Sequence, residues 1–429
     1  MTEYGQSRRL DVVLFGATGF TGRLVADYLA QRAPALRWAI AGRSREKLQQ
    51  VKSDLAGRYP ALAALEVLVA DAADADALAV VAKDARVVCT TVGPYAVHGR
   101  ELAAACAEQG TDYCDLAGEV NFIRESIDRN HARAGETRAR IVHCCGFDSI
   151  PSDLGVHLLA GHFDQQGRKL QRASFFVGPM KGGVSGGTIA SMLAMLEQAS
   201  RDRQQRRLMG DPYALIPDRD KDRGPDHGDQ MIPKFEPLIG AWTGPFVMAA
   251  INTRVVRRTN ALTGYRYGKD FRYREAMVFG KGAKGAASAA AFSAGVAAFV
   301  TLGSTGPGRS ILKPLLPAPG QGPGKAQRDA GFFRVRIVGE GDGKAPLRAV
   351  ARVEGKSDPG YGETAKMLGE SALCLALDRN QLEPRHGVLT PASAMGNRLI
   401  ERLRAAGMTF AIEGDPLRPP SPEGRPSPA

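Results

Sequence analysis

The sequence has few metal-binding side chains, six cysteines and seven histidines among 429 residues. No two cysteines form a CxxC pair, and none has a ligand-like spacing to a histidine. Zinc sites and disulfide frameworks need such spacings, so we expect neither, and no metal site is predicted. The thiols are typical of buried cysteines in a reducing compartment, and no signal-peptide pattern precedes the first predicted strand. We therefore expect a cytoplasmic protein.

Aromatic residues and hydrolytic motifs are also sparse. Phe, Trp and Tyr make up 7% of the chain, and no nucleic-acid recognition motif occurs, so a nucleic-acid partner is not expected. No Ser-His-Asp or Cys-His arrangement stands out, which argues against hydrolysis. The hydrophobic and charged fractions, 44% and 24%, are ordinary for a globular protein. The length allows two or three domains, each with its own core.

Negative charge is scarce in the middle of the chain. Residues 151–360 contain 31 Lys and Arg against 18 Asp and Glu, whereas residues 1–150 contain 18 and 19. The net charge of +12 therefore arises in the middle third. This excess predicts an anionic partner there, such as a membrane surface, an acyl-carrier protein or an acidic substrate. A merely solvated basic surface is the alternative.

A short apolar run and three glycines open the first predicted unit. Residues 12–15 suit a strand buried on both faces of a parallel sheet, and the residues after the glycines have helical periodicity. Strand, glycine turn and helix together predict a dinucleotide-binding turn rather than the turn of an unrelated sheet protein. Gly16 would make the turn, Gly19 would admit the pyrophosphate to the helix N-terminus, and Gly22 would let helix and strand pack closely. The predicted cofactor contacts here are Gly16, Thr18, Gly19, Phe20 and Gly22.

The next predicted strand, residues 37–42, lacks the acidic residue that usually follows it in NAD-specific proteins. Arg43 and Ser44 stand there instead, with Arg45 and Lys47 close behind. A cation and a hydroxyl suit the 2′-phosphate of NADP, whereas a carboxylate suits the ribose hydroxyls of NAD. We therefore predict that Arg43 and Ser44 bind NADP(H); surface arginines at a helix start are the alternative interpretation.

Further candidate residues follow the later strands of the predicted sheet. Asp71 ends the third strand, at residues 65–70, where an adenine edge is commonly met. The turn after the fourth strand is expected near the nicotinamide ribose, because ligands bind outside the carboxyl ends of parallel strands. The cofactor contacts predicted in this turn are Thr91, Val92, Gly93 and Pro94.

Two side chains after the fourth strand are candidates for the chemistry. Tyr95 and His98 lie where the nicotinamide should be, and either is suited to donate a proton. Asp148, Ser149 and Asp153 lie at a helix start after a later strand, where a capping or other structural role is at least as good an interpretation as catalysis.

Strands and helices alternate up to about residue 155, and then the pattern changes. We predict an α/β fold: a Rossmann-type doubly wound parallel sheet at 1–155, and an inserted basic α+β domain at 156–357 for substrate or membrane. Two helices in 358–413 are expected to return to the first domain, and the tail at 414–429 is predicted to be disordered. Within the insertion, residues 201–235 are predicted to form a long surface loop.

Residues 285–308 contain no charge and place apolar side chains at helical spacing. They are too weakly apolar to predict a membrane span. One interpretation is a helix in a membrane interface, since Lys281, Lys284, Arg309 and Lys313 flank it. This would make the protein peripheral on the plasma membrane. The other is an Ala-rich helix packed inside the protein or in a homodimer.

Several short motifs, taken together, resemble one family. They are GATGFTG at 16–22, AGRS at 41–44, TTVGPY at 90–95, CGFDSIPSD at 145–153 and KGGVSGGT at 181–188, with DPGYGET at 358–364 and GVLTPASAMG at 387–396. GATGFTG alone occurs in many nucleotide-binding domains, whereas the joint occurrence is specific. The chain resembles the saccharopine dehydrogenase-like oxidoreductases, most closely the branch of the mycobacterial trans-acting enoyl reductases, up to about residue 414.

The resemblance implies a function that composition alone does not give. Members of this branch are associated with polyketide lipid assembly, in which a separate protein saturates a double bond that the synthase leaves behind. It therefore implies NADPH-dependent reduction of a lipid or polyketide-type enoyl chain, as a small molecule or bound to a carrier. It also implies a nucleotide-binding domain, an inserted α+β domain and returning C-terminal helices, in agreement with the pattern above.

Two other functions stay open. A saccharopine-type amino-acid dehydrogenase would need arginines that converge on substrate carboxylates, and Arg254, Arg257 and Arg258 are the candidates. A cofactor-binding, membrane- or lipid-associated protein without turnover would bind NADP and vesicles but oxidise nothing.

Overall fold

A computed structural model describes residues 8–183, 186–315, 322–343 and 347–414. The predicted tail lies outside these residues, except for Gly414. From the start, the chain alternates strands and helices. They are β1 (Leu10–Phe15), α1 (Phe20–Arg32), β2 (Trp38–Gly42), α2 (Arg45–Arg58), β3 (Glu66–Val69), α3 (Ala75–Asp84), β4 (Ala85–Thr90), α4 (Tyr95–His98), α5 (Arg100–Gln109), β5 (Asp112–Cys114), α6 (Val120–Glu136), β6 (Arg140–Val142) and α7 (Ile150–Gln165).

The middle of the chain mixes longer strands with helices. Its elements are β7 (Leu170–Lys181), α8 (Gly186–Arg201), α9 (Arg203–Gly210), β8 (Lys234–Glu236), β9 (Ala241–Gly244), α10 (Ala249–Leu262), β10 (Arg272–Gly280), α11 (Gly282–Gly303), α12 (Gly306–Leu312), α13 (Lys325–Asp329), β11 (Phe332–Gly341) and β12 (Arg348–Gly355). The last part contributes α14 (Thr364–Leu377), β13 (Gly387–Leu389), α15 (Pro391–Ala405) and β14 (Thr409–Glu413), after a π-helical turn at Pro359–Glu363.

The first sheet is parallel throughout, in the order β13-β6-β5-β4-β1-β2-β3. All six residues of β1 are buried, because alternate side chains enter different cores. Val12 and Leu14 pack with α1, α2 and α14, whereas Val13 and Phe15 pack with α3, α5 and α6. Helices thus cover both faces, and the predicted doubly wound α/β fold is confirmed.

The second sheet has the order β14-β12-β11-β7-β10-β9-β8. Its neighbours are antiparallel except for β7 and β10. Helix α7 packs on β7, β11 and β12, and it follows β6 of the first sheet directly. Where α7 meets β11, an added methyl group at Gly155 would overlap Ile337. The two sheets are therefore joined through one continuous apolar core.

The predicted surface loop at 201–235 is wrong in two respects. Residues 203–210 form α9, and residues 213–216 (Tyr-Ala-Leu-Ile) are buried against the first sheet's helices and α10. The strongly polar composition hid this short apolar run. The structure also contains β13 and β14, two short strands that the sequence analysis did not predict.

Candidate functional site

A cavity of about 780 Å³ lies at the carboxyl ends of the first sheet's strands. Such edges are where open parallel sheets bind ligands, beside the point at which the strand order reverses. Here that point lies between β1 and β4. Of the predicted cofactor contacts and the two predicted proton donors, Ser44 alone does not line the cavity. Those that do are Gly16, Thr18, Gly19, Phe20, Gly22, Arg43, Asp71, Thr91, Val92, Gly93, Pro94, Tyr95 and His98.

The glycine turn has the geometry that a pyrophosphate site requires. Gly16 has a φ of +91°, and a methyl group there would lie 2.5 Å from Val92 Cγ2. A methyl group at Gly22 would overlap the Gly16 carbonyl oxygen, so α1 can approach the turn this closely only with glycine. Gly19 precedes α1, and no side chain caps this helix. Its first amide groups are therefore left for an anion.

Arg43 follows β2 at the cavity edge, and its guanidinium is exposed. Among the described residues it makes no hydrogen bond or ion pair. Ser44 has a different role, since its hydroxyl accepts a hydrogen bond from Lys47 N (3.3 Å) as the N-cap of α2. Asp71 is exposed, and its carboxylate accepts from Ala73 N (2.9 Å). The structure thus leaves Arg43 free for a phosphate while Ser44 stabilises the next helix.

Glu119 holds α4 and was missed by the sequence analysis. Its carboxylate accepts hydrogen bonds from Tyr95 N (2.9 Å), Ala96 N (2.7 Å) and the Ser191 hydroxyl (2.8 Å). The side chain is 2% exposed, so these bonds offset the cost of burying it. Because Ser191 belongs to α8, Glu119 also fixes that helix against the first sheet. Its position after β5, at the same sheet edge, was the available signal.

The hydroxyl of Tyr95 is engaged within the protein. It donates to the Thr90 carbonyl oxygen (3.3 Å) and accepts from Leu116 N (3.2 Å). Burial and the nearby charge of Asp115 raise the pKa of Tyr95 well above 10. These contacts argue against the predicted role of Tyr95 as proton donor and assign it to the cavity wall. His98, at the end of α4, is exposed and faces the same cavity.

The far half of the cavity is apolar. It is lined by methionine and leucine side chains of α8 and by valine and phenylalanine of α11. These residues are Met192, Met195, Leu196, Val296, Phe299 and Val300. Flexible methionines adapt to irregular apolar ligands. The cavity therefore combines a polar end at the glycine turn with an apolar end between α8 and α11.

The arginines of α10 do not converge on the cavity. Arg254 pairs with Asp229, and Arg257 pairs with Asp226 (2.8 Å). Arg258 donates to the carbonyl oxygens of Leu215 (2.6 Å) and Val388 (2.6 Å). All three are at most 4% exposed. The proposed carboxylate-binding role is wrong, because these side chains fix the buried segment before β8 and strand β13.

The structure brings together one Ser-His-Asp arrangement that the sequence analysis did not find. His143 Nε2 lies 2.8 Å from Ser126 Oγ, and its Nδ1 lies 2.7 Å from Asp115 Oδ2. The Tyr113 hydroxyl donates to the same carboxylate (2.9 Å). None of these side chains lines the cavity, and all are at most 4% exposed. The arrangement is a buried network beneath the sheet edge, since a substrate has no access to it.

Helix α11 is exposed along most of its length. Gly285, Ala289, Ser293 and Gly303 are its buried residues, where it packs on β9, β10 and α8. By length and composition alone it is the one helix among the described residues that is long enough and apolar enough to cross a membrane. Length and composition do not show that the helix lies in a membrane. Within the same residues, no cluster of three His, Cys, Asp or Glu is suited to hold a metal ion.

Comparison with known proteins agrees with this geometry. Residues 12–142 match the profile of the saccharopine dehydrogenase NADP binding domain. The fold and cavity therefore define an NADP-binding oxidoreductase of the Rossmann type.

The full-length relatives define the family more narrowly. The chain is 44% identical to a Mycobacterium tuberculosis protein provisionally named a trans-acting enoyl reductase, over 94% of this chain and 97% of that protein. It is 41% identical to the trans-acting enoyl reductase of Mycobacterium ulcerans, over 94% and 98%. The chain belongs to the saccharopine dehydrogenase-like oxidoreductases, in the branch of the trans-acting enoyl reductases.

A solved structure supports the fold alone. Apo saccharopine dehydrogenase (L-Glu forming) from Saccharomyces cerevisiae matches with a TM-score of 0.53 at 14% identity, over 94% of this chain and 99% of that one.

Proposed function

We propose that this protein uses NADPH to reduce the double bond of a lipid or polyketide-type enoyl chain, presented as a small molecule or on a carrier. The observation that carries the proposal is that the glycine turn and a set of apolar side chains from α8 and α11 line the same cavity. The full-length relatives named trans-acting enoyl reductases support the same reaction.

The residues around the polar end fit NADP(H). The pyrophosphate would lie on the free amides at the start of α1, beside Gly19. Arg43 would bind the 2′-phosphate, since it is exposed and unpaired among the described residues. Asp71 would meet the adenosine, and residues 91–94 would contact the nicotinamide ribose. When bound, NADPH supplies the hydride for the β-carbon of the enoyl chain.

The apolar end suits the acyl part of the substrate. Methionines of α8 and the Val296 and Phe299 side chains of α11 remove an alkyl chain from water, at about 0.8 kcal/mol for each buried CH₂. Among the described residues that line the cavity, Arg43 at the polar end is the one arginine, and none lies among the apolar side chains to pair with an amino-acid carboxylate. The lining therefore favours an acyl chain over the amino-acid substrate of a saccharopine-type dehydrogenase.

Titration with NADPH and NADH, followed by nicotinamide fluorescence, tests the cofactor part. We expect Arg43→Ala to weaken NADPH binding about 10- to 100-fold and to leave NADH binding unchanged, because it removes a charge-assisted contact to the 2′-phosphate. Arg45→Ala is the matched control, since Arg45 is also exposed but does not line the cavity. Equal loss for both nucleotides, or no binding of either, would contradict the proposal.

We further propose that α11 docks on an anionic membrane surface, with the protein otherwise in the cytoplasm. The supporting observation is a mostly exposed helix that carries no charge after Lys284 in its first turn. Lys281 and Arg309 flank it, and Ile311 beside it is 58% exposed. Three of its residues, Val296, Phe299 and Val300, also line the apolar part of the cavity, so a lipid-borne chain would have a short path to enter.

Flotation with phosphatidylserine-containing vesicles tests this docking. Ala294→Glu should abolish flotation, whereas Val80→Glu, at a 64% exposed apolar residue of α3, should not. A wild-type protein that stays unbound contradicts the membrane proposal. If it instead sediments as a dimer that Ala294→Glu dissociates, α11 covers a second copy of this chain.

A further inference from the structure

One carboxyl group that lines the cavity is not part of the predicted cofactor site. Asp148 lies in the loop between β6 and α7, and it lines the cavity together with Leu116 and Gly118 from the loop after β5. These loops lie on the β4–β5–β6 side of the sheet, where Rossmann folds hold the nicotinamide half of the cofactor. Asp148 is therefore near the end of the cavity where reduction would occur.

The carboxyl group is unpartnered. Among the described residues Asp148 makes no hydrogen bond or ion pair. A methyl group at Gly118 would lie 3.8 Å from Asp148 Oδ2, so this glycine leaves space in front of the carboxyl. Burial raises the pKa of Asp148 to about 7, because few polar groups replace water around its charge.

The backbone on each side of Asp148 is fixed. Phe147 N donates to the Thr364 hydroxyl of α14 (3.1 Å). The Ser149 hydroxyl donates to Asn252 Oδ1 of α10 (3.0 Å). Ser149 therefore does not cap α7 with its side chain, contrary to the capping interpretation. Two anchors from different helices hold the loop, yet neither contacts the carboxyl itself.

Asp153, one turn further along α7, shows what a structural carboxyl looks like here. Its Oδ1 accepts from the Thr259 hydroxyl (2.5 Å), and its Oδ2 accepts from Ala392 N (2.7 Å). Burial raises its pKa to about 7 as well, but it does not line the cavity. The two aspartates share a raised pKa, but Asp148 is half-buried and makes no hydrogen bond among the described residues, whereas Asp153 is fully buried and hydrogen-bonded.

We propose that Asp148 is the proton donor to the α-carbon in the reduction, an inference that rests on the proposed enoyl reductase function. The O–H bond of the carboxyl breaks, and a C–H bond forms with the electron pair of the enolate that hydride addition to the β-carbon creates. Asp148 becomes a carboxylate and regains its proton from solvent. His98 is a second candidate in the cavity wall, with no hydrogen bond among the described residues, whereas the Tyr95 hydroxyl is engaged with backbone groups.

Other titratable groups lie on the loop of Asp148 and on the elements that line the cavity with it. On its own loop, Cys144 is a buried thiol whose pKa is raised by burial and by the charges of Asp115 and Asp148. From the loop after β5, Glu119 is held by two backbone amides and Ser191. From α4, His98 faces the cavity, and from α14 the neighbouring side chain is the uncharged Thr364.

The test uses a tiglyl thioester of N-acetylcysteamine, whose reduction creates a stereocentre at the α-carbon. Wild-type enzyme should give one α-configuration, and its kcat should fall as pH rises through about 7, where the donor loses its proton. Asp148→Asn should lower kcat about 100-fold, abolish this pH limb and give both configurations, because water then protonates the enolate from either face. Asp153→Asn should keep the limb and the single configuration.

A second readout does not depend on turnover. An ionised Asp148 beside the nicotinamide should attract the positive ring of NADP⁺, so the Kd for NADP⁺ should fall as pH rises through about 7 in the wild type and not in Asp148→Asn. A pH-independent Kd in the wild type overturns the assignment. So does an Asp148→Asn enzyme with kcat within threefold of wild type and one α-configuration, or loss of stereocontrol in His98→Gln instead. A wild-type enzyme that binds NADPH but reduces no enoyl thioester contradicts the proposed function itself.

Discussion

A methyl group added at Gly22 would push α1 away from the glycine turn. We expect Gly22→Ala to lower the free energy of unfolding by about 1–3 kcal/mol, because the added carbon overlaps the Gly16 carbonyl oxygen and the backbone must move. NADPH binding should weaken with it. Gly57→Ala in α2 is the control, since nothing lies within 4 Å of the added carbon, and it should stabilise by about 0.5–1 kcal/mol. Urea unfolding measures both, and equal effects would contradict this account of the turn.

Three carboxyl groups with raised pKa values contribute to the pH dependence of stability at the residue scale. Burial raises the pKa of Asp148, Asp153 and Glu275 to about 7 each. Unfolding returns each pKa to about 4, so between pH 4 and 7 the folded chain holds more protons than the unfolded one. The contribution of these groups to the free energy of unfolding is therefore full at about pH 4, falls as pH rises and levels off above about 7.

Removing one of these carboxyl groups should make the free energy of unfolding depend less steeply on pH. Asp153→Asn should reduce the decrease in the free energy of unfolding by up to about 1.4 kcal/mol per pH unit, whether or not it changes the stability at any one pH. Urea unfolding at about pH 5 and pH 7 measures the slope. The exposed Asp76→Asn is the control. An unchanged slope in Asp153→Asn would show that its carboxyl does not titrate in this window.

Single residues also mark the limit of what the sequence predicts. The glycine turn and Arg43 were identifiable because both act through residues adjacent in the chain. The hydrogen bonds between the Tyr95 hydroxyl and the backbone of Thr90 and Leu116 could not be predicted, because they depend on how the loops after β4 and β5 meet. The roles assigned to the predicted cofactor residues stay predictions until the nucleotide titration is done.

Among the elements, α10 shows how an arginine-rich helix can be structural. Arg258→Met should destabilise the protein by about 3 kcal/mol, because it leaves the Leu215 and Val388 carbonyl groups buried without a donor. Arg219→Met is the control, since Arg219 is exposed and lies in the same loop as Leu215, between α9 and β8. It should change stability by less than about 0.5 kcal/mol. Thermal unfolding and NADPH titration check both. Full stability with lost substrate binding in Arg258→Met would restore the carboxylate-binding hypothesis.

Strands that are marked by a local apolar run were predicted from the sequence, whereas a strand that depends on pairing with a distant part of the chain was missed. Strands β1, β2 and β3 are short apolar runs, and the ranges predicted for them, 12–15, 37–42 and 65–70, lie within two residues of the observed ends. Strand β13 has three residues, and it becomes a strand only because β6, from far earlier in the chain, pairs with it in parallel. The excess of positive charge overstated the basic surface, since the buried arginines of α10 belong to it.

At the scale of the whole molecule, the C-terminal segment completes both sheets. Strand β13 extends the first sheet beside β6, and β14 extends the second beside β12. Helix α15, which connects these two strands, packs on α7 and α14. A chain that ends before β13 should therefore lose its cooperative thermal transition, because both sheets lose an edge strand. A chain that ends at Gly414 keeps every described element and is the control. The domain boundaries at about residues 155 and 357 stay a prediction.

The central claim is that one cavity binds NADPH and an enoyl chain for reduction. The most direct measurement is NADPH oxidation by the purified protein with an enoyl thioester, with mass spectrometry of the product. The account predicts that each NADPH consumed yields one saturated thioester, and that Arg43→Ala slows this at low NADPH but not at saturating NADPH. Tight NADPH binding without any saturated product, across short and long enoyl chains, would contradict it.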